Sequence, residues 1–466
     1  MAACVLALPA STQPAMPDLT PASAAEETAA VQWLNTSGKV FDPSAYGAAE
    51  LAPLAELLGR AKIIGIGEAT HGDHQDQQFK AELIKQLVRT GKVQVLVLEA
   101  NREAGYRFDR YVRFGEGDLA AVVRGGSFFA IWKGDEFAGL MLWLRAWNLQ
   151  SGQKVRIVGI DDQDPGRDSA FALEFADRFD KVAAKRLRAG MGSLLPAKGA
   201  DFPRFAKWWL EAPKPEAEKA RDTAAALRQW FESAPARAKA DPGFENAKWA
   251  AETARQAFVI YEFERADADK KKQDAAYYGR RDRFMAENAV AMLGANERAA
   301  IWAHDIHVIE DVPPIAKAMG FETLGTLIKQ RLGADYATVG FTWSQGAFRG
   351  MRMKSEADMA ESIRNPGNDV LTLPNDREGE AGHLFNQTGA RAMWIDFSTR
   401  PRSPLLDSWA RRPYWRGYAG WGVVEAGWQK FNPEAGDFPL ELGTGHDVMV
   451  WFRTISPSHR WPTGAK

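Results

Sequence analysis

Cysteine is almost absent from this chain of 466 residues, since the single cysteine is Cys4, within the first ten positions. Neither a disulfide framework nor a zinc site built from cysteines can therefore exist in the body of the protein. A cysteine nucleophile is excluded there for the same reason. Any chemistry carried out by the body of the protein must use other side chains.

An excess of charge of either sign is also missing. The 59 basic residues nearly balance the 60 acidic ones, and the formal net charge is -1. This balance gives no electrostatic reason to expect nucleic acid or an anionic membrane as a partner. Beyond the N-terminus, no hydrophobic run approaches the roughly 20 residues that span a bilayer. We therefore expect neither nucleic-acid nor membrane binding, and a mature protein that is soluble.

The N-terminal segment leaves the location of the protein open. Met1 to Ala10 is a short apolar run, and a stretch rich in Pro, Ser, Thr and Ala follows it as far as the Ala-Ser-Ala at 22–24. Small residues at such a point are typical of the end of an export signal, but the basic start of such signals is missing. We interpret residues 1–25 as a disordered tail or a residual export signal. The protein is then either cytoplasmic or exported to the periplasm.

Apolar strand candidates alternate with amphipathic helix candidates in the first part of the chain. Strands are predicted at 62–66, 93–98 and 155–160, helices at 73–89, 103–113 and 135–149, and further strands at 299–303, 336–342, 392–397 and 448–452. Continuous apolar strands suit a buried parallel sheet. The alternation predicts an α/β fold with a largely parallel central sheet flanked by helices.

The composition changes between about residues 166 and 293. Alanine and charged residues dominate this stretch, and it has no convincing strand pattern. It predicts a large helical insertion that divides the α/β core into a first part, 26–165, and a second part, 294–466. A region rich in Trp, Gly and Pro, 412–443, is predicted to pack irregularly on the surface.

The most informative segment is Gly65-Ile66-Gly67-Glu68-Ala69-Thr70-His71-Gly72, directly after the first predicted strand. Ligands gather at the carboxyl ends of parallel strands, and glycines allow a tight turn there. His71 precedes a helix whose positive end favours the neutral imidazole, the form that can accept a proton. Glu68 could fix the tautomer of that imidazole and stabilise the imidazolium that forms.

Other polar residues also follow predicted strands. His304 and His307 come after the strand at 299–303, Glu99 and Asp161 end the second and third strands, and His74 lies close to His71. A lone histidine is more often structural than functional, but two sets of histidines at strand ends favour one shared site. Glu99 and Asp161 could instead simply cap the helices that follow them.

These motifs together resemble the erythromycin esterase family. The segments that carry the resemblance, in the family's order and spacing, are Gly67-Glu68-x-x-His71-Gly72, Leu98-Glu99-Ala100, Trp143-Leu144-Arg145 with Asn148, Gly159-Ile160-Asp161, Arg281-Asp282 with Met285-Ala286 and Asn288, Trp302-Ala303-His304-Asp305-x-His307-Val308, and Arg331-Leu332-Gly333-x-x-Tyr336. The resemblance covers roughly 54–346 and weakens towards the C-terminus.

The resemblance implies an α/β core with a helical lobe over a deep cleft, and hydrolysis of a macrolide lactone without a required metal or other cofactor. By position, His71 matches the family's general base and Glu68 its adjacent acid. The remaining polar positions of the family's cleft are matched by Glu99, Arg281, His304 and His307.

Two positions depart from the family's pattern. Lys80 stands where the family usually has arginine, so that the charge is kept but the planar two-point grip of a guanidinium is lost. Asp305 replaces the more frequent asparagine and adds a negative charge between the two histidines. Either change could alter the substrate while leaving the type of reaction the same.

The predicted reaction is attack of water on an ester or macrolactone carbonyl, with His71 as the base. Arg281, Lys80 or one of the histidines His304 and His307 would stabilise the oxyanion. His304 or His307 would donate a proton to the departing alkoxide. A serine hydrolase is disfavoured because the chain contains no Gly-x-Ser-x-Gly elbow. Two alternatives stay open: a metal-dependent hydrolase that uses the same His and Glu cluster, and a non-catalytic protein that binds a cofactor or polyketide.

Overall fold

A computed structural model describes residues 22–124, 132–152, 154–197, 200, 202–266, 270–312, 316–317, 320–353, 369–372, 379–416, 422–424 and 438–461. The described strands are β1 (Lys39–Val40), β2 (Ile63–Ile66), β3 (Val95–Asn101), β4 (Arg156–Asp161), β5 (Ala299–Trp302), β6 (Tyr336–Met353), β7 (Asp369–Thr372), β8 (Ala392–Asp396), β9 (Pro413–Arg416), β10 (Gly422–Val424), β11 (Phe438–Glu441) and β12 (Val448–Ile455).

The described helices, in chain order, are α1 (Ala24–Ser37), α2 (Ala48–Leu58), α3 (His74–Arg89), α4 (Arg102–Phe114), α5 (Leu119–Arg124), α6 (Asp135–Gln150), α7 (Pro165–Phe179), α8 (Lys181–Gly190), α9 (Phe205–Glu211), α10 (Lys214–Ser233), α11 (Ala236–Lys239), α12 (Phe244–Ala266), α13 (Lys270–Ala291), α14 (Asp305–Val308), α15 (Leu324–Leu332), α16 (Ala381–Asn386), α17 (Pro404–Ala410) and α18 (Leu442–Gly445). Within the described segments, every helix is too short or too polar to serve as a membrane span.

The strands of the central sheet follow the order β1-β8-β12-β6-β2-β5-β3-β4. β2 pairs in parallel with both β5 and β6, and β12 pairs in parallel with β6. At one edge, β8 is antiparallel to β12, and β1 is antiparallel to β8. The α/β fold with a central sheet flanked by helices, predicted from the sequence, is confirmed.

The described residues form two compact units. One contains the segments from 97 to 124 and from 157 to 292, and it holds helices α4, α5 and α7 to α13. The other contains the segments from 22 to 96, from 132 to 156 and from 293 to 461. We call them the helical unit and the sheet unit.

Local sequence explains where the helices begin. α1 begins at Ala24, before the predicted start, because Ser23 and Glu26 form a reciprocal capping box. Of the segment predicted as a tail or export signal, residues 1–21 lie outside the described residues. α3 is capped by Asp73, whose side chain accepts a hydrogen bond of 2.7 Å from the N–H of Asp76.

The hydrophobic core of the sheet unit includes a cluster of aromatic side chains. The ring of Trp33 packs against Phe397 and Trp409 with centroids 5.5 and 6.0 Å away, and Trp451 stacks on Phe385 at 5.7 Å. All five side chains are buried in one hydrophobic cluster. These five aromatic side chains are therefore core residues of the sheet unit.

Two predictions about the second half of the chain were wrong: one strand is longer than predicted, and a region predicted to be irregular contains strands. The strand predicted to end at Thr342 continues to Met353, and it pairs with β7 and β10 beyond the point where it leaves β12. The region 412–443 was expected to be irregular. Its described parts contain β9, which pairs antiparallel with β11, and β10.

Candidate active site

The turn between β2 and α3 carries Glu68 and His71, and it is shaped by two glycines. A Cβ on Gly67 would lie 1.7 Å from Oδ1 of Asp305, and one on Gly72 would lie 1.6 Å from the carbonyl oxygen of Arg349. Both positions therefore exclude a side chain. The backbone N–H of Asp305 donates to the carbonyl of Glu68 at 3.1 Å, which ties this turn to the one after β5.

The carboxylate of Glu68 accepts hydrogen bonds from four side chains. Nδ1 of His71 and Nε1 of Trp132 contact Oε1, the latter at 2.7 Å. Nε2 of Gln77, at 2.7 Å, and Nζ of Lys80 contact Oε2. Two carboxylate oxygens offer about four acceptor sites, so these donors use the whole capacity of Glu68.

The charge of Glu68 is set by its partner Lys80, and both side chains are fully buried, with 0% exposure. Burial raises the pKa of the Glu68 carboxyl, but the positive charge of Lys80 and the contacts with His71 and Lys80 lower it below its usual value. Burial lowers the pKa of Lys80 and the charge of Glu68 opposes that shift, leaving the pKa below its usual value. The ammonium also lies 4.3 Å from the centre of the Trp302 ring.

His304 faces His71. β2 and β5 are neighbours with Ile66 opposite Trp302, so the residues that follow the two strands meet at one edge of the sheet. The two imidazoles lie with their centroids 4.8 Å apart and their planes at 81°, and both are buried. His304 caps α14, since its Nδ1 accepts a hydrogen bond of 3.4 Å from the N–H of Ile306.

Two aspartates near His71 and His304 accept hydrogen bonds from the backbone. Asp305 accepts a hydrogen bond of 3.2 Å from the N–H of Phe341 in β6, and Asp76 accepts one of 2.9 Å from the N–H of Ala69. Burial raises the pKa of Asp76 to about 7; the hydrogen bond from Ala69 opposes this shift and the charge of Asp305 adds to it. We call Glu68, His71, Lys80, Trp132 and His304 the histidine site.

His307 lies three residues after His304, in α14. Its side chain is buried, and its N–H donates to the carbonyl of His304 at 3.0 Å. The structure thus brings Glu68, His71, Lys80 and His304 together, and the chemical role of each of these residues and of His307 remains a prediction.

Three other predicted residues form a separate cluster in the helical unit. Nε and Nη2 of Arg281 donate to the two carboxylate oxygens of Asp161 at 3.0 and 2.8 Å, and Nη2 also donates to Glu99 at 2.7 Å. Burial lowers the pKa of the guanidinium, but the charges of Asp161 and Glu99 raise it well above its usual value. The guanidinium of Arg281 thus forms a bidentate ion pair with Asp161, a carboxylate of the protein itself.

His74 has different partners from His71. Its Nδ1 lies 2.6 Å from Oε1 of Glu136, and its ring centroid lies 4.5 Å from that of His459. Sequence reasoning singled out neither Glu136 nor His459. It also missed Trp132 and Gln77 as partners of Glu68. The sequence pattern around a tryptophan or a glutamine does not indicate which carboxylate its side chain contacts.

Solved structures with the same fold support this picture of the chain. A Bacillus cereus protein is 21% identical, with a TM-score of 0.75 over 93% of this chain and 99% of its own. A succinoglycan biosynthesis protein is 17% identical, with a TM-score of 0.74 over 94% of this chain and 100% of its own. A mutant of the erythromycin esterase EreC in its open conformation is 17% identical, with a TM-score of 0.65 over 92% and 99%. At these identities the likeness concerns the fold.

The sequence itself gives the family. The profile of the family described as Erythromycin esterase matches residues 88–455, a range that includes Glu99, Asp161, Arg281, His304 and His307. Glu68 and His71 precede the matched range, and in the fold they join it through the contact between His71 and His304. With most of its length matched, this chain belongs to the erythromycin esterase family.

Proposed function

We propose that this protein hydrolyses an ester or macrolactone with water that is activated by His71. The hydrogen bond between Nδ1 of His71 and Oε1 of Glu68 is the observation that carries the proposal. With the Nδ1 proton on the Glu68 side, the lone pair of the imidazole is on Nε2. A carboxylate that fixes an imidazole in this way is the usual support of a histidine base.

The reaction balances without any other reactant. Nε2 of His71 takes a proton from water as the water oxygen bonds to the carbonyl carbon, giving a tetrahedral oxyanion. The bond from that carbon to the ester oxygen then breaks, and the proton passes to the departing alkoxide. The products are a carboxylic acid and an alcohol, or an opened hydroxy acid from a lactone. Glu68 stays ionised throughout and stabilises the imidazolium.

His304 is our candidate for the group that assists the oxyanion or the leaving alkoxide. Its ring is 4.8 Å from that of His71, a separation that suits two groups acting on one substrate carbonyl. His307, in the same short helix, is the second candidate. One well-placed oxyanion donor is worth about 2.7–4 kcal/mol in the transition state.

In this proposal, Lys80 and Arg281 have a structural role instead of the contact with the oxyanion that the sequence predicted. Lys80 has no exposed surface and pairs with Glu68, so we assign it to positioning Glu68. Arg281 is also buried, and it forms ion pairs with Asp161 and Glu99. We therefore assign all three residues a structural role within the helical unit.

The decisive experiment compares the unaltered protein with His71→Asn on a panel of simple esters and macrolides. We expect one or more panel members to gain one water by mass spectrometry, with ¹⁸O from labelled water in the acid product. His71→Asn should lower kcat by about 10²- to 10⁴-fold. His383→Asn, a partly buried histidine in α16, serves as the matched control and should keep full activity.

Other outcomes would favour the alternatives. Turnover that disappears with a chelator and returns with stoichiometric metal would indicate a metal-dependent hydrolase. This experiment uses a variant without His459, so that metal bound beside His74 does not affect the result. Failure to hydrolyse any panel member, together with a Soret band in the purified protein, would indicate a cofactor-binding protein instead. Near-normal activity of His71→Asn on a confirmed substrate would contradict the assignment of the base.

A further inference from the structure

A second cluster of ligand-type side chains lies in the sheet unit, and the proposed reaction does not use it. It consists of His74, Glu136 and His459, whose nitrogen and carboxylate ligand atoms all lie within 4.8 Å of one another. Nδ1 of His74 is 2.6 Å from Oε1 of Glu136, and Nδ1 of His459 is 3.5 Å from the same oxygen. Two imidazoles therefore converge on one carboxylate.

The backbone holds the three residues in this arrangement. After β12, the chain crosses the start of two helices: Asp73 forms a β-bridge with Pro457, and Gly134 forms one with Arg460. The N–H of His74 donates to the carbonyl of Ser456 at 2.8 Å, close to the first of these bridges.

The same crossing fixes His459 over Glu136. The N–H of Asp135 donates to the carbonyl of His459 at 2.9 Å, and the N–H of His459 donates to Oε1 of Glu136 at 3.0 Å. His74 opens α3, Glu136 lies in the first turn of α6, and His459 comes from the last described segment. Three ligands from three separate elements are thus positioned before any ion arrives.

Glu136 provides the second, independent observation. Its side chain is only 3% exposed, yet its Oε2 atom is buried without a hydrogen-bond partner among the described residues. A buried carboxylate oxygen of this kind is costly unless a cation or a donor reaches it. The flanking imidazoles are 29% and 60% exposed, so the cluster opens to solvent on the side of His74 and His459.

We propose that His74, Glu136 and His459 form a binding site for a divalent transition-metal ion, with Zn²⁺ as the ion of choice. Two imidazoles and one carboxylate are a frequent ligand set for zinc, and water completes an open site of this kind. Tetrahedral zinc–ligand bonds of about 2.0–2.2 Å separate the ligand atoms by about 3.4 Å. Nδ1 of His74 and Oε1 of Glu136, which are 2.6 Å apart, would therefore move slightly apart, and the wider separations, of up to 4.8 Å, would close. The exposed ring of His459 can supply that movement.

The ion would join the start of α3, the start of α6 and the segment after β12. Metal binding to the folded state alone stabilises a protein by mass action. We therefore assign the site a stabilising role, apart from the histidine site and not dependent on the proposed reaction.

The test is titration of the chelator-treated, full-length protein with ZnCl₂ by calorimetry, and with CoCl₂ by visible absorption. The protein should bind one Zn²⁺ with a rise in Tm, and Co²⁺ should give the absorption of a nitrogen- and oxygen-ligated ion. His459→Ala should weaken Zn²⁺ binding by about 100-fold or more, since even outer partners of metal ligands are worth 10- to 100-fold. Because the His459 side chain is largely exposed, this variant should keep the Tm of the metal-free protein.

Three further variants make the result unambiguous. His71→Asn should bind Zn²⁺ as the unaltered protein does, and His383→Ala should do the same. His74→Gln should reproduce the loss seen with His459→Ala. Zn²⁺ binding that survives both His459→Ala and His74→Gln, or that disappears only in His71→Asn, would overturn the site, as would absence of binding in the unaltered protein.

Discussion

The imidazole rings of His71 and His304 lie 4.8 Å apart, centroid to centroid, and nearly perpendicular. They meet because β2 and β5 are adjacent parallel strands, in register from Ile63 with Ala299 to Ile66 with Trp302. The chain leaves both strands at the same edge of the sheet. The site is therefore a consequence of strand order, and its chemistry depends on how Glu68 is held behind His71.

Replacing Glu68 by glutamine should remove both charge and anchoring. The amide NH₂ group cannot accept hydrogen bonds, so either the pair His71 and Trp132 or the pair Gln77 and Lys80 loses its acceptor. We expect kcat on a confirmed ester to fall by about 10⁴-fold, the size of effect seen when the carboxylate behind a catalytic histidine becomes an amide. Activity within a few-fold of normal would contradict this role of Glu68.

The free energy of unfolding should distinguish the loss of the Glu68 charge from the loss of its hydrogen bonds. Glu68→Gln leaves the buried ammonium of Lys80 without its carboxylate, which typically costs about 3–5 kcal/mol. Combining Glu68→Gln with Lys80→Met removes the stranded charge, and the free energy of unfolding should recover in large part. Activity should not recover. A double variant that is no more stable than Glu68→Gln would show that Lys80 is not the source of the loss.

Trp132→Phe tests the indole hydrogen bond to Glu68. The substitution removes the Nε1 donor at 2.7 Å but keeps an aromatic ring edge-on to His71. A hydrogen bond to a charged group is worth about 1.5–3 kcal/mol, so we expect a loss of roughly ten- to a hundredfold in kcat/KM. Trp343→Phe is the matched control, because Trp343 is equally buried and its Nε1 has no hydrogen-bond partner among the described residues. Equal effects of the two substitutions would assign the loss to packing alone.

The edge at which the site lies could be predicted from the sequence, because it depends on two local patterns. Apolar runs end directly before Glu68 and before His304, and the parallel-sheet rule brings such ends together. The four donors around Glu68 could not all be predicted in the same way. Trp132 reaches it from before α6, far along the chain, and an indole is as readily explained by core packing.

The long strand β6 shows a second limit of sequence reasoning. The apolar pattern predicts a strand that ends at Thr342, whereas β6 continues through Gly346, whose φ is 123°. The strand continues because distant segments supply its hydrogen-bond partners: β12 as far as Ile455, then β7 and β10. Pairing with remote strands decides extent here, and a local window cannot contain that information.

Gly67→Ala should disable the site through geometry. The new methyl group would lie 1.7 Å from Oδ1 and 3.0 Å from Cα of Asp305, so the turn bearing Glu68 or the one bearing His304 must shift. A displacement of about 1 Å can cost on the order of a hundredfold in rate, which we expect in kcat, together with a lower Tm. Gly139→Ala within α6 is the control: it meets nothing within 4 Å and should raise stability by up to about 1 kcal/mol. Opposite signs for the two substitutions are the outcome that supports the close approach.

Asp168 in α7 should make the stability of the protein fall as the pH rises through the acid-to-neutral range. Burial raises the pKa of its carboxyl to about 7, against hydrogen bonds from the N–H of Glu103 at 2.8 Å and Oγ1 of Thr253 at 2.8 Å. The folded protein therefore keeps a proton on Asp168 between about pH 4 and 7, where the unfolded chain has lost it. Stability contributed by that proton is complete below the unfolded pKa, declines across this window and levels off above it.

Asp168→Asn removes this titration while keeping a side-chain oxygen that can accept the hydrogen bond of Glu103. The difference in Tm between about pH 5 and pH 8 should be smaller in this variant than in the unaltered protein, because the amide binds no proton in either state. Asp222→Asn, whose carboxylate is 71% exposed, should leave the difference as it is. If Asp168→Asn and Asp222→Asn show the same dependence on pH, then Asp168 does not carry the proton that the folded state retains.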